Sequence, residues 1–545
     1  MATAFTLASN RHLTMRLALL SLLALTSAAA VTGRPANLTV QLPQGSYTGL
    51  IDPKYPNTRQ YRAVPFAEPP VLGRRWMPPK RLSPSPEKHH YATRYPPSCG
   101  QFVTSVISLF DLPLSKGNLI YNGNQNDSSG LVGEATSEDC LYLAIWTPTR
   151  LPTPPSKGLP VLFFITGGGF ILGGVDIPWQ IPDSWVERTQ SHIVVTINHR
   201  MDILGFPRAR GLADSEQNLA MLDQRAALEW VRDHIAAFGG DPDRITLWGQ
   251  SAGSIAADIH SYAWPDDPIV QGFWFQSGLI FNGVDRQDPT HSNFTFVASR
   301  FGCDFPGLDD GGAAELDCMR QVPFAQIINF VGQYADAGTS PPMRFNMVID
   351  EKVIFADYEA RAAAGKFARR PAILSMTANE MSSLVPWPAA NLTEGPWQPA
   401  VTKGTVEGLV CPSLNMTTYR SDVGLPTYRI QYAGTFPNLN RYKWLGAYHA
   451  SDIPIAFGTY HCLDGVAPST DLEAAVSKVL QDHILAFAED PWHGPQKMGW
   501  IPMNGSSPRG GDLLRIGAGG IVAQHIDGNE VDGVCLGIGE YDPFP

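Results

Sequence analysis

The chain has 545 residues, 44% apolar and only 17% charged, with a formal net charge of -11. Such a composition supports a large core and argues against long disordered tracts. The acidic balance argues against nucleic acid, whose phosphates demand a basic face, and against a polybasic membrane anchor.

Read in chain order, the N-terminus has the pattern of a secretory signal. Arg11 and Arg16 precede an apolar stretch from Leu17 to Ala30, which ends in Ala28-Ala29-Ala30. The stretch is too short for a membrane span of about 20 residues, so cleavage before Val31 is expected, with residues 1–30 removed. The C-terminus carries no apolar tail, and no lipid anchor is expected there. Six N-x-S/T sequons, at Asn37, Asn126, Asn293, Asn391, Asn415 and Asn504, agree with passage through the secretory pathway. Seven cysteines fit an oxidising compartment. Cys303 and Cys318 can close a short loop and Cys99 and Cys140 a longer one. Cys411, Cys462 and Cys535 remain, so at least one thiol is left over. No CxxC or HExxH spacing occurs, and neither a metal nor another cofactor is expected.

Strand-like and helix-like runs then alternate, which argues for an α/β sheet. Val161 to Ile165 is a continuous apolar run ending in Gly167-Gly168-Gly169, and Ile193 to Ile197 is another. Buried parallel strands read this way because both faces are covered. Asn218 to Phe238 reads as an amphipathic helix with Leu222, Ala226, Trp230 and Ile235 broadly on one face, stopped by Gly239-Gly240. A strand from Ile245 to Trp248 then enters Gly249-Gln250-Ser251-Ala252-Gly253, and small helix-compatible residues leave it. Strand, G-x-S-x-G, helix is the setting of a nucleophile elbow, where a strained turn exposes one serine hydroxyl.

A serine hydroxyl needs a base to take its proton and an acid to orient that base. Where the serine sits on such an elbow, in an α/β-hydrolase, the acid and then the base follow it in chain order. Of the histidines beyond Ser251 (His260, His291, His449, His461, His483, His493 and His525), His449 best fits a loop base beside an apolar segment. Glu380 follows the apolar run Ala372-Ile373-Leu374 and fits the acid. Gly167-Gly168-Gly169 can present backbone N–H groups to a developing oxyanion. No P-loop or dinucleotide-binding fingerprint occurs, so nucleotide binding is not expected.

Four further segments carry a family resemblance. They are Tyr61-Arg62-Ala63-Val64-Pro65-Phe66-Ala67-Glu68-Pro69-Pro70, Ser137-Glu138-Asp139-Cys140-Leu141-Tyr142-Leu143, Asn218-Leu219-Ala220-Met221-Leu222-Asp223-Gln224 and Phe238-Gly239-Gly240-Asp241-Pro242. With the serine motif, and in this order, they resemble the type-B carboxylesterase/lipase family, which includes fungal lipases and cholinesterases. The resemblance spans nearly the whole mature chain. It implies an α/β-hydrolase fold over residues 31–545 as one domain: a large, mostly parallel central sheet flanked by helices, with long loop insertions over the active site. It implies Ser251 as nucleophile, Glu380 as acid, His449 as base, and Gly168, Gly169 and Ala252 as oxyanion donors. It also implies disulfides Cys99–Cys140 and Cys303–Cys318.

Three positions depart from the family pattern. Thr166 stands where His or Tyr is usual, Ala144 where a small polar residue is usual, and Met381 where Gly often follows the acid. Met381 is expected either to alter the local turn or to line the pocket.

The expected function is a secreted carboxylic-ester hydrolase acting on a small-molecule or lipid ester. Alternatives with the same residues are a secondary-metabolite esterase, lactonase or acyl-transfer enzyme of a biosynthetic pathway, a triacylglycerol lipase, and a non-catalytic cholinesterase-like binding protein. The apolar stretch from Phe102 to Phe110, between Cys99 and Cys140, is a candidate lid. Phe273-Trp274-Phe275 is a candidate acyl-site lining or, alternatively, core. Oligomeric state cannot be read from the sequence.

Overall fold

The computed structural model describes residues 37–105, 131–132, 136–151, 157–282, 288–388, 391, 393–503 and 511–545. Residues 1–30, Asn126, Asn504 and most of the candidate lid lie outside them. Of the lid stretch, Phe102–Val103 pairs antiparallel with Leu131–Val132.

An 11-stranded sheet organises the chain. Its strands in chain order are β1 (Leu50–Ile51), β2 (Thr58–Pro65), β3 (Tyr142–Pro148), β4 (Leu159–Ile165), β5 (Ile193–Ile197), β6 (Gly240–Gln250), β7 (Gly272–Gln276), β8 (Ala372–Thr377), β9 (Thr427–Tyr432), β10 (Asp512–Ile516) and β11 (Ala523–Asp527). The spatial order is β11-β10-β9-β8-β7-β6-β4-β5-β3-β2-β1. The strands from β5 across to β10 run parallel, and antiparallel partners close both edges. This is the α/β-hydrolase architecture implied by the resemblance.

The apolar runs became strands because both faces are covered, and the period-two alternation divides them between two cores. On one face Val161, Phe163, Ile165, Val195, Leu247, Phe273 and Phe275 pack with α1 (Leu219–His234) and α2 (Ala252–Ala263). On the other, Leu162, Phe164, Val194, Trp248, Trp274 and Ile373 pack with α3 (Asp471–Glu489). Phe273-Trp274-Phe275 is therefore core. Trp274 stacks on Trp248 with centroids 4.4 Å apart and 10° between planes, and its indole N–H donates to Ser375 Oγ at 2.8 Å.

The expected helix from Asn218 to Phe238 is α1 followed by a 3-10 turn, Ile235–Phe238, ended by Gly239 at φ 95. That left-handed conformation costs glycine nothing. The long α3 starts at a capping box, in which Thr470 Oγ1 accepts from Glu473 N–H and the Glu473 carboxylate accepts from Thr470 N–H.

Three disulfides join the described residues: Cys99–Cys140, Cys303–Cys318 and Cys411–Cys535. The third settles the pairing that the sequence left open and leaves Cys462 as an exposed free thiol. Its two cysteines are 124 residues apart with Cα atoms separated by 5.5 Å, tying the helix Cys411–Asp422 to the C-terminal segment. Closing so long a loop constrains the unfolded chain strongly. Replacing both Cys411 and Cys535 by Ser should cost about 2–5 kcal/mol, read as a lower urea midpoint under oxidising conditions; an unmoved midpoint would show the bridge absent or idle.

Candidate active site

The strand β6 delivers Ser251 to the start of α2. Ser251 has φ 56 and ψ -123, a backbone conformation strained for a residue with a side chain. Its N–H donates to Gln276 O at 2.9 Å and its carbonyl accepts from Ile255 N–H at 3.0 Å. The flanking glycines are sterically required. A Cβ at Gly249 would overlap the Gly253 carbonyl, and one at Gly253 would overlap the Ile165 carbonyl of β4. Gly253→Ala should therefore push α2 away from the sheet at a cost of about 1–3 kcal/mol and lower kcat with it. Unchanged melting temperature and turnover together would count against this packing.

The loop after β4 faces this turn. Gly168 has φ 110 and Gly169 φ 64. The Gly168 carbonyl accepts from the N–H groups of both Ile171 and Leu172 at 3.0 Å, which folds the loop back on itself. Among the described residues the N–H groups of Gly168, Gly169 and Ala252 donate to no protein acceptor. Gly169 is exposed and Gly168 and Ser251 half-buried, whereas Ala252 is buried at the N-terminus of α2, where the helix dipole favours negative charge. Thr166, at the head of the loop, donates its hydroxyl to Gln180 Oε1 at 3.0 Å. Ala144 is fully buried in β3.

Glu380 lies just beyond β8, fully buried in the short helix Glu380–Ser383. His449 Nδ1 lies 2.5 Å from Glu380 Oε2, and the other carboxylate oxygen accepts from Thr377 N–H at 2.7 Å. Burial works against the charged carboxylate, but the adjoining imidazole and the Thr377 N–H favour it more, and its pKa is lowered. The two loops are laced together. Asn379 N–H donates to Ala447 O at 2.8 Å, its side-chain amide donates to Leu445 O at 2.9 Å, and His449 N–H donates to Glu380 O at 3.3 Å. Met381 lies in the short helix Glu380–Ser383; its N–H donates to Thr405 Oγ1 at 3.2 Å and its side chain packs beside Gly404.

His449 Nε2 lies 3.3 Å from Gln250 Nε2. With Nδ1–H donating to Glu380, Nε2 carries the lone pair, so the Gln250 amide donates to the nitrogen that would otherwise meet a serine hydroxyl. Among the described residues Ser251 Oγ and His449 form no direct hydrogen bond here. Such contacts are often loose without substrate and tighten on binding. Gln250 stood in the serine motif without an assigned role, and nothing in its type signalled one.

A second acid, Asp452, escaped the sequence reading although it sits three residues after His449. It is buried, accepts from Gln276 Nε2 at 2.7 Å, and burial pushes its carboxyl up to about 7. Among the described residues no group of three or more His, Cys, Asp or Glu could hold a metal ion.

A parallel sheet of this order, with a strained serine between β6 and α2 and a bonded Glu–His pair beyond it, places the protein in the α/β-hydrolase class. The chain belongs to the carboxylesterase family, whose model matches residues 36–395, and it is a carboxylic-ester hydrolase. It is 39% identical over 542 residues to a chlorogenic acid esterase of Aspergillus niger, covering 96% of this chain and 100% of that one. It is 34% identical to secreted lipase 5 of Gibberella zeae, covering 92% and 94%. An acetylcholinesterase of Electrophorus electricus is 30% identical over 65% of this chain and 52% of its own.

Proposed function

We propose that the protein is a secreted serine esterase working through Ser251, Glu380 and His449 and an acyl-enzyme intermediate. The observation that carries the reading is the 2.5 Å contact between Glu380 and His449 beside the strained Ser251 turn. His449 takes the proton of Ser251 as its oxygen attacks the ester carbonyl. Gly168, Gly169 and Ala252 hold the oxyanion, each donor contributing about 3–4 kcal/mol to lowering the barrier. His449 then protonates the leaving alcohol and activates the water that releases the acid. Glu380 stays ionised and holds the imidazole tautomer.

Secretion is supported by the signal pattern of residues 1–30, by the three disulfides, and by relatives named as secreted lipases. Among the described residues no helix is long and apolar enough to cross a membrane. The mature chain from Val31 would be one α/β-hydrolase domain. Of the described sequons, Asn37, Asn391 and Asn415 are exposed and are the first candidates for glycan.

The relative named for chlorogenic acid, an ester of a phenolic acid with a polyhydroxy alcohol, matches the chain along its full length, and this favours small polar esters. The relative named as a lipase keeps lipid esters as the second reading. A fluorophosphonate probe tests the chemistry. It should add one adduct, on the peptide carrying Ser251, and abolish hydrolysis of p-nitrophenyl esters in proportion to labelling. Labelling elsewhere, or full activity in the labelled protein, would overturn the reading. The chain-length profile from acetate to palmitate separates esterase from lipase.

A further inference from the structure

The segment after β5 runs beside the glycine loop and is fixed on every side. Arg200 is bound to Asp223 of α1 through its backbone N–H at 3.1 Å and its guanidinium at 2.7 and 2.8 Å. Trp76 donates its indole N–H to Ile203 O at 2.8 Å, and Phe206 packs edge-on against Phe170 with centroids 5.7 Å apart. Within this clamp Asp202 N–H donates to the carbonyl of Phe170, the residue following Gly169, at 2.8 Å.

Asp202 has φ 48, a left-handed conformation in which glycine would be less strained. Strain held by a rigid surround, next to a reactive loop, points to a use for the side chain rather than for the turn. Met201, Ile203, Leu204, Gly205 and Phe206 are all buried, whereas Asp202 keeps partial exposure. Burial nevertheless pushes its carboxyl up to about 7. Among the described residues no Lys, Arg or His forms an ion pair with it.

We propose that Asp202 is a specificity-determining residue of the ester site, whose carboxyl hydrogen-bonds hydroxyl groups of the substrate. The proposal rests on the reading of Ser251 and Gly169 as ester-site residues. A carboxyl poised between its two protonation states can both accept and donate, as a hydroxyl does, and burial disfavours the fixed charge that an ammonium partner would need.

The test measures kcat/KM for the full chain, Asp202→Gly and Asp202→Asn on matched esters. These are methyl caffeate against methyl cinnamate, glycerol monobutyrate against propyl butyrate, and butyrylcholine against 3,3-dimethylbutyl butyrate. Glycine suits φ 48, so Asp202→Gly should keep or raise the melting temperature. The wild type should prefer the hydroxylated ester of at least one of the first two pairs. In Asp202→Gly that preference ratio should fall about tenfold or more, with Asp202→Asn keeping part of it. An unmoved ratio, or an equal loss on both members of each pair, would overturn the proposal. A fall confined to the butyrylcholine pair would assign the carboxylate to a cation and overturn the hydroxyl reading. If the wild type cleaves p-nitrophenyl butyrate, any such failure belongs to Asp202 alone. If it cleaves no ester, the parent reading fails and this one with it.

Discussion

Ser251→Ala should lower kcat for p-nitrophenyl butyrate on the order of 10⁶-fold, with no burst of p-nitrophenol. The residual rate would come from the oxyanion donors and substrate binding alone. The fold should survive. Turn geometry is set by the Ser251 N–H bond to Gln276 and by the contacts of Gly249 and Gly253, none of which uses the hydroxyl. Stability should change by less than about 0.5 kcal/mol, as for a half-buried side chain without a structural bond. The melting temperature and near-UV circular dichroism check this. Turnover within tenfold of wild type would remove Ser251 from the mechanism.

Glu380→Gln should lower kcat on the order of 10⁴-fold. The amide can turn its NH₂ towards His449 Nδ1, which stabilises the wrong tautomer and leaves no carboxylate to balance the imidazolium. The same variant carries a signature in stability. Because the folded-state pKa of Glu380 is lowered, its contribution is fully present above the unfolded value of about 4.3 and is lost as pH falls through the folded value. Acid unfolding curves of wild type and Glu380→Gln should therefore diverge at neutral pH and converge below about pH 4. A constant offset across that range would mean that Glu380 is not the ionised partner of His449.

Local patterns carried much of this protein. Val161 to Ile165, Ile193 to Ile197 and Ile245 to Trp248 are continuous apolar runs, and such runs form strands when both faces are buried. The helix from Asn218 was legible because its apolar spacing and its Gly239-Gly240 stop are contiguous in sequence. Ser251 was legible because glycines two residues on either side are needed wherever a strand turns into a helix this tightly. The second half was harder. The strands Thr427–Tyr432 and Asp512–Ile516 include Arg429 and Arg515, whose guanidinium groups are paired with Asp532 and Glu530. Buried charge broke the apolar signal, and its partners lie 103 and 15 residues away.

By itself the sequence determined the class of chemistry and the order of its parts, because a serine motif, a glycine loop and the flanking strands are each written within a few consecutive residues. Tertiary structure decided what depends on separated residues. It set Glu380 against His449 across 69 positions, brought Gln250 to the same imidazole across 199, and paired Cys411 with Cys535 while leaving Cys462 free. It also placed Phe273-Trp274-Phe275 in the core and Asp202 beside the glycine loop. The physical reason is the same in each case. A hydrogen bond, a disulfide or a desolvated carboxyl is defined by what the folded chain brings within a few ångströms, and residue type alone does not encode that neighbour.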